Sequence, residues 1–353
     1  MTVEAGVSVV DLFCGAGGLS HGFRREGFSI AAGIDLDDRC RYAFETNNHA
    51  PFTCRDVKDL DAEELASHFR PGARKVLIGC APCQPYSPYS RKYRRGGDDP
   101  KWHLLTDFAQ LAADLKPDVV SMENVPHLLT FRQGHPFRGF VARLEEAGYQ
   151  VAFGKLYGPA YGLPQQRTRL VLVASLLGPV ALPAPTHAPA AYPTVDEAIG
   201  NLAPIPAGGT DIADRLHRAQ NLSRLNLARI RASRPGGTWE DWPEHLVAPC
   251  HQRHTGRTFR AVYGRMEGDR PAPTLTTQFF SYGSGRFGHP SQDRALSLRE
   301  GAVLQGFAPD YAFVPPDAEV GFERLGRMIG NAVPVAMAQA VARSIKAHLQ
   351  DHS

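Results

Sequence analysis

The sequence shows no secretory leader pattern and no long apolar run. A leader would direct the chain out of the cell, and an apolar run of ~20 residues would span a bilayer. Only six cysteines occur among 353 residues, too few for a fold stabilised by disulfides. We therefore expect a cytoplasmic protein whose thiols are reduced, with a core large enough to need no cross-links.

A strong net charge is also missing, because 39 basic and 36 acidic residues leave a formal charge of +3. Any surface for nucleic acid must then be local. Lysine is absent between Lys155 and Lys346, where the basic residues are arginines at 215, 218, 224, 229, 231, 234, 253, 257, 260, 265 and 270, among others. This clustering suggests a nucleic-acid face, since arginine pairs with phosphates and guanine edges. A GC-rich coding bias explains the choice of arginine over lysine equally well.

The spacing Cys80-x-x-Cys83 raises the alternatives of a zinc site or a redox pair. Zinc would require a second close pair, and Cys250 with His251 and His254 is distant and poorly spaced. A redox pair normally opens a helix, which Pro85 disfavours here. We expect no metal. Cys83 instead stands between two prolines where the apolar strand Lys75–Ile78 gives way to a loop, a position that exposes a side chain to ligands.

The first half alternates strands and helices in the manner of a doubly wound α/β domain. A strand from Val7 to Phe13 leads through Cys14-Gly15-Ala16-Gly17-Gly18 into a helix, and a second strand ends at Asp35. Such a turn admits a ligand close to the backbone, and the acid suits a ribose. A dinucleotide site would require glycine where Ser20 stands, so a nucleoside such as that of S-adenosylmethionine fits better.

Further polar residues follow the other predicted strands, and they should reach the same sheet edge. Asp56 follows a short third strand, within reach of an adenine amino group. Glu123 follows the strand Asp118–Met122. Arg167 and Arg169 alternate into the strand Leu170–Ser175, which would place both guanidinium groups on one face. A pair of solvated charges is the alternative for the two arginines.

These motifs, in this order, resemble the DNA (cytosine-5) methyltransferase family of the bacterial type. The segments concerned are Asp11-Leu12-Phe13-Cys14-Gly15-Ala16-Gly17-Gly18, Ala81-Pro82-Cys83-Gln84-Pro85, Glu123-Asn124-Val125, Gln165-x-Arg167-x-Arg169, Arg270-Pro271-Ala272-Pro273-Thr274 and Gly330-Asn331-Ala332-Val333-Pro334. They cover nearly the whole chain. Two departures are small: Ala81 stands where proline is frequent, and Asp35 where glutamate is common.

The resemblance implies a Rossmann-like methyltransferase fold with an inserted target-recognition domain. It divides the chain into a catalytic and cofactor-binding domain (1–178), a target-recognition domain with hinge (179–322) and a C-terminal helix returning to the catalytic domain (323–353). It further implies double-stranded DNA as substrate, a monomer associated with the nucleoid, and either a cognate restriction endonuclease or an orphan role.

The same resemblance assigns roles to residues. The catalytic set is Cys83 as nucleophile with Glu123, Arg167 and Arg169 around the base. The S-adenosyl-L-methionine set is Phe13, Gly15, Gly17, Leu19, Asp35, Asp56, Pro82 and Asn331. The residues assigned to DNA contacts are Gln84, Ser87, Arg91, Arg94 and Arg95. They lie in a basic loop, and the glycines at 96 and 97 would let this loop close over the DNA as a lid. An ordinary basic loop is the alternative.

Three other functions remain open at this point. A tRNA cytosine-5 methyltransferase shares the fold, although the long arginine-bearing insert favours DNA. A DNA-binding relative without catalysis would not need Cys83, Glu123 and Arg167 together. An exocyclic-amine methyltransferase normally carries an Asp-Pro-Pro-Tyr type motif, which this sequence lacks.

Overall fold

The computed structural model describes residues 6–82, 103–253, 256 and 258–352. Two compact units divide the chain. The first consists of Met1–Tyr161, Thr168–Thr186 and Val333–Ser353, and the second of Gly162–Arg167 and His187–Ala332. In the part of the chain so described, no helix is both long and apolar enough to cross a membrane.

A seven-stranded sheet forms the centre of the first unit, in the order β3-β2-β1-β4-β5-β8-β6. The strands are β1 (Val7–Leu12), β2 (Ile30–Asp35), β3 (Phe52–Cys54), β4 (Arg74–Gly79), β5 (Val119–Asn124), β6 (Gln150–Tyr157) and β8 (Thr168–Ser175). The first five are parallel, and β8 runs antiparallel to both of its neighbours. Every residue of β1 and β5 is buried, the polar ones included, as is typical of central parallel strands covered on both faces. The predicted doubly wound α/β class is confirmed.

Helices cover this sheet in two groups. They are α1 (Gly18–Arg25), α2 (Arg41–Asn48), α3 (Ala62–Ser67), α4 (His103–Leu115), α5 (His135–Glu146) and α11 (Val335–Asp351). Helix α4 packs against α3 and α5, and α1 packs against α11. The second contact is close: a Cβ added to Gly22 would lie 2.4 Å from the Cβ of Ala338. Glycine at this position therefore lets the two helices approach.

The second unit contains five helices and two short strands among its described residues. They are β7 (Gln165–Gln166), α6 (Val195–Ile199), α7 (Arg224–Ala232), α8 (Pro249–Gln252), β9 (Ala272–Pro273), α9 (Leu298–Leu304) and α10 (Phe322–Asn331). Its interior holds a charged pair, in which Arg294 donates to both oxygens of Glu300 at 2.7 and 2.6 Å. Both side chains are fully buried. Hydrogen bonds on each side of the pair compensate its desolvation.

The two units differ from the sequence-based division at three places. The chain enters the second unit at His187 rather than after residue 178, and the short segment Gly162–Arg167 already belongs to it. Helix α10 also belongs to the second unit, although the predicted C-terminal segment begins at residue 323. Only α11 and the residues just before it return to the first unit.

Candidate functional site

The turn between β1 and α1 has the backbone shape that its glycines permit. Gly15 and Gly17 have φ values of 50° and 88°, and Phe13 adopts a left-handed φ of 59° despite its side chain. Such a conformation in a non-glycine residue is strained and clusters at functional sites. The Phe13 ring is half-buried and meets Phe108 edge-on at 6.3 Å. Leu19 is buried, so only its backbone is placed to meet a ligand.

Asp35 ends β2 beside this turn and fixes its shape. Its Oδ2 accepts the Gly15 N–H at 2.9 Å, and its Oδ1 accepts the Asp37 N–H at 2.8 Å. Burial raises the pKa of the carboxyl, and the two backbone donors oppose that shift. A carboxylate held in this way, next to a glycine with open space above it, is suited to two vicinal hydroxyls.

The sequence analysis did not identify Asp11 and Ser20 as a pair. Ser20 Oγ donates to Asp11 Oδ2 at 2.6 Å, and both residues are fully buried. Burial raises the pKa of Asp11 to about 7, although the Ser20 hydrogen bond opposes the shift. Ser20, which stands where a dinucleotide site would require glycine, thus links the first turn of α1 to β1.

Two further residues lie along the same edge of the sheet. Asp56 follows β3, accepts the Lys58 N–H at 3.2 Å and pairs with the Lys58 ammonium at 3.0 Å. Leu36, directly after Asp35, is 66% exposed. An exposed apolar side chain beside Asp35 offers a face for a flat ring. Only its position after Asp35 could have indicated Leu36 from the sequence.

Glu123 is the focus of the second part of the site. It is 6% exposed near the end of β5. The Nε of Arg169 lies 2.8 Å from the Oε1 of Glu123. The two groups form an ion pair, but the N–H direction does not meet the geometry of a hydrogen bond. The Cys80 Sγ donates to its Oε2 at 2.9 Å. Val171 stands opposite Glu123 in the antiparallel pair, so Arg169, two residues away, projects from the same face.

Asn124 connects this acid to the loop after β4. Its amide donates to the Ala81 carbonyl at 3.1 Å, and it is fully buried. Pro82, half-buried, follows Ala81. Cys83, Gln84, Ser87, Arg91, Arg94 and Arg95 lie outside the described residues, so their predicted roles stay predictions.

Arg167 has different partners from Arg169, which corrects one prediction. It lies between β7 and β8 rather than on a continuous strand, so the alternation that predicts a shared face does not apply. Within the second unit its guanidinium donates to the carbonyls of Leu275 at 3.0 Å and Gly330 at 3.2 Å. Gln165, two residues before it, bonds to Leu275, Leu304 and Gln305. These contacts hold distant segments of the second unit together.

Asn331 is the last residue of α10 and is exposed. Its predicted contact with the cofactor stays a prediction. Among the described residues, no group of three or more His, Cys, Asp or Glu side chains could hold a metal ion.

The glycine turn, Asp35 and the end of β4 meet at the switch point of the sheet, since β1 and β4 are neighbours from which the strand order runs in opposite directions. Open α/β sheets bind ligands there. The fold and site together define a Rossmann-like α/β domain with a buried acid at the carboxyl edge of its sheet.

Comparison with known proteins identifies the family. The family model for C-5 cytosine-specific DNA methylase matches residues 7–347. The chain is 49% identical to the Type II methylase M.HgiDII of Herpetosiphon aurantiacus, over 97% of this chain and 96% of the relative. It is 30% identical to the Type II methyltransferase M1.HphI of Haemophilus parahaemolyticus, over 96% and 86%. This chain belongs to the C-5 cytosine-specific DNA methylase family.

A solved structure shows the same fold. A candidate DNA modification methyltransferase encoded within an E. coli prophage superposes with a TM-score of 0.75, covering 98% of this chain and all of that one at 21% identity. The family model and the two relatives confirm the resemblance predicted from the motifs. The protein is an enzyme that methylates carbon 5 of cytosine in DNA, and its family implies a bound methyl donor.

Proposed function

We propose that this enzyme transfers a methyl group from S-adenosylmethionine to a flipped-out cytosine in a specific sequence of double-stranded DNA, through a covalent bond to Cys83. The observation that supports this most is the buried carboxylate of Glu123 at the end of β5. It is flanked by Arg169, and its neighbour Asn124 bonds to the carbonyl of Ala81, two residues before Cys83. A base held by Glu123 would thus lie near the start of the cysteine loop.

The residues of the first unit fit the proposed cofactor. Asp35 would take the ribose hydroxyls, and the N–H groups at the start of α1 would face the carboxylate of the methionine part. Phe13 and Leu36 would flank the adenine, and Asp56 would accept its amino group. The backbone of Gly15, Gly17 and Leu19 and the side of Pro82 would line the remaining pocket. When bound, S-adenosylmethionine supplies an electrophilic methyl group.

Chemistry on the base requires a nucleophile, because carbon 5 of cytosine is a weak one by itself. The Cys83 thiolate would add to carbon 6, which would convert the ring to an enamine whose carbon 5 takes the methyl group as S-adenosylhomocysteine leaves. Glu123 would accept a hydrogen bond from the exocyclic amine and share a proton with N3, which compensates the charge that develops there. Arg169 holds Glu123 and lies towards O2. Loss of the C5 proton and elimination of the thiolate then release 5-methylcytosine.

The target atoms are inaccessible in stacked DNA, so the base must leave the helix at a cost of about a few kcal/mol. We assign that step to the loop after Cys83, with Gln84, Ser87, Arg91, Arg94 and Arg95 contacting DNA. The second unit would read the sequence. Its surface carries exposed arginines such as Arg234 and Arg260, each paired with one acid at 3.2 and 3.5 Å.

A mechanism-based trap tests the proposal. Bisulfite sequencing of DNA from cells expressing the protein first identifies the target. A duplex with 5-fluorocytosine at that position should then form a stable adduct, because fluorine cannot leave as a proton does. Cys83→Ser should bind DNA and cofactor but form no adduct. Activity on tRNA alone, or persistent absence of an adduct on the mapped site, contradicts the proposal.

The names of the two curated relatives suggest the biological setting. Both are Type II enzymes. We infer that this enzyme acts as a monomer in the bacterial cytoplasm, at the nucleoid, and protects its target from a cognate restriction endonuclease. Plasmid methylated by the enzyme should resist an endonuclease that cuts the mapped sequence, and light scattering should give the mass of one chain. Cleavage at the normal rate contradicts the protective role.

A further inference from the structure

The Cys80 thiol contacts the side chain that the proposed mechanism places on the base. Its Sγ donates to Glu123 Oε2 at 2.9 Å, and the residue is half-buried just after β4. The spacing in the sequence relates Cys80 only to Cys83. It predicts no role for Cys80 beyond packing next to the site. The contact with Glu123 indicates a more specific role.

Strand register brings the two residues together. Gly79 of β4 pairs with Met122 of β5 in a parallel ladder, so Cys80 and Glu123 follow side by side at the carboxyl edge. On the other side of the carboxylate, Arg169 Nε lies 2.8 Å from Oε1. The Glu123 carboxylate therefore has a cation at one oxygen and a thiol donor at the other.

We propose that Cys80 is a positioning residue for catalysis, which orients the Glu123 carboxylate to receive N3 and the exocyclic amine of the flipped cytosine. This inference rests on the proposed role of Glu123. An ion pair to one oxygen alone leaves the carboxylate free to turn, since the last torsion of glutamate is broad. A donor on the second oxygen removes that freedom.

The choice of a thiol has a physical consequence. A thiol is a weak donor, so Oε2 keeps the capacity to accept a hydrogen bond from the incoming amine. A backbone N–H or an ammonium at the same place would compete more strongly with the base. Preorganisation of this kind lowers the barrier without adding affinity for the unreacted substrate.

The test compares Cys80→Ala, which removes the donor, with Cys80→Ser, which keeps one. Adduct formation with the 5-fluorocytosine duplex is followed in single turnover, with DNA affinity measured separately. We expect Cys80→Ala to slow the step ~10-fold, the value of one hydrogen bond to a charged group, with DNA affinity changed less than about 2-fold. Cys80→Ser should restore the rate to within about 3-fold. Cys250→Ser, at an exposed cysteine of the second unit, serves as control.

The outcomes separate this inference from the proposed function. If the wild type forms an adduct and Cys80→Ala forms it at the same rate, the positioning role is wrong and the mechanism stands. An equal loss in Cys80→Ala and Cys80→Ser, or a loss of DNA affinity that matches the loss of rate, also contradicts it. If the wild type forms no adduct, the proposed function fails first. Should Cys80→Ala not fold, Cys80→Val removes the donor while keeping the side-chain volume nearly unchanged and gives the same comparison.

Discussion

Ser20 and Asp11 form a hydrogen bond of 2.6 Å beneath the turn that carries Gly15 and Gly17. The carboxyl is completely buried, and its other oxygen, Oδ1, has no hydrogen-bond partner among the residues that the structure describes. Burial is the main reason that its pKa rises to about 7 from an ordinary 3.8. A group of this kind stabilises a fold in one protonation state and destabilises it in the other.

The free energy of unfolding should therefore fall as the pH rises from about 4 to about 7. Between about 4 and about 7 the folded state keeps a proton on Asp11 that the unfolded state has lost, so the contribution is largest at low pH. Asp11→Asn lacks this titration. The unfolding free energy of the wild type should decline relative to the variant by about 1.4 kcal/mol per pH unit at most, and level off above pH 7. Urea unfolding between pH 5 and 8.5 measures it.

The control for this prediction is Asp310→Asn, which removes an exposed carboxyl. Its stability relative to the wild type should not vary with pH in the same window. A constant difference between the wild type and Asp11→Asn would contradict the proposed ionisation.

Asp35 should control cofactor affinity through two contacts at once. Asp35→Ala removes the proposed ribose ligand and the acceptor of the Gly15 N–H, so we expect binding of S-adenosylhomocysteine to weaken ~10- to 100-fold. Asp35→Glu restores the acid common in the family and should lose less than about 5-fold. Isothermal titration calorimetry distinguishes the two. Equal affinity for Asp35→Ala and the wild type would remove Asp35 from the cofactor site.

The two arginines of the Gln165-x-Arg167-x-Arg169 segment should fail in different ways. Arg169→Met leaves the buried Glu123 carboxylate without its ion pair, and we expect a loss of adduct formation of ~100-fold or more in the folded protein. Arg167→Met leaves the carbonyls of Leu275 and Gly330 without their donor in a buried place. It should cost about 2–3 kcal/mol of unfolding free energy.

Denaturant unfolding and single-turnover kinetics on both variants decide between these roles. A stable Arg167→Met protein without activity would restore the base-contacting role predicted from the motif. An Arg169→Met protein that forms the adduct at the wild-type rate would show that the ion pair with Glu123 has no role in catalysis.

His289 should make the second unit sensitive to acid. Its Nδ1 accepts the N–H groups of Ser291 and Gln292 at 3.2 and 3.1 Å, so the ring is held neutral. Burial is the main cause that lowers its pKa to about 4, against the opposing effect of Glu300. Because the unfolded state takes up a proton first, stability should be lost as the pH falls from about 6.5 to about 4.

His289→Gln tests this, since it cannot titrate. Relative to the variant, the wild type should lose up to about 1.4 kcal/mol per pH unit on acidification in that range. His245→Gln, at an exposed histidine, is the matched control and should keep the wild-type dependence. Parallel curves for the wild type and His289→Gln would show that folding does not shift the pKa of the ring.

The sequence predicted the first unit well where burial dominates. Parallel strands such as β1 and β5 are buried on both faces and therefore read as apolar runs, with polar residues marking their ends. Asp35 and Glu123 could be found in this way. The exact start of a helix could not be predicted, as at α1, which begins at Gly18 inside the glycine turn itself.

Contacts set by register and by distant segments could not be predicted. The bond from Cys80 to Glu123 depends on how β4 aligns with β5, and the Ser20 hydroxyl finds Asp11 only once α1 has docked. The partners of Arg167 lie 108 and 163 residues away along the chain. No local pattern in the sequence indicates contacts over such distances. Every residue carries a backbone carbonyl, so nothing marks those of Leu275 and Gly330 as the partners of Arg167.

The closeness of Gly22 to Ala338 has a consequence for the order of synthesis. Helix α1 leaves the ribosome about 300 residues before α11, whose face it needs for burial. The face of α1 that packs on α11 therefore stays exposed on the nascent chain while the whole second unit is synthesised. Contacts between segments so far apart in the chain form slowly, and the surfaces that they will cover can meanwhile cause aggregation. We infer that yield during expression depends on chaperone supply at this late step.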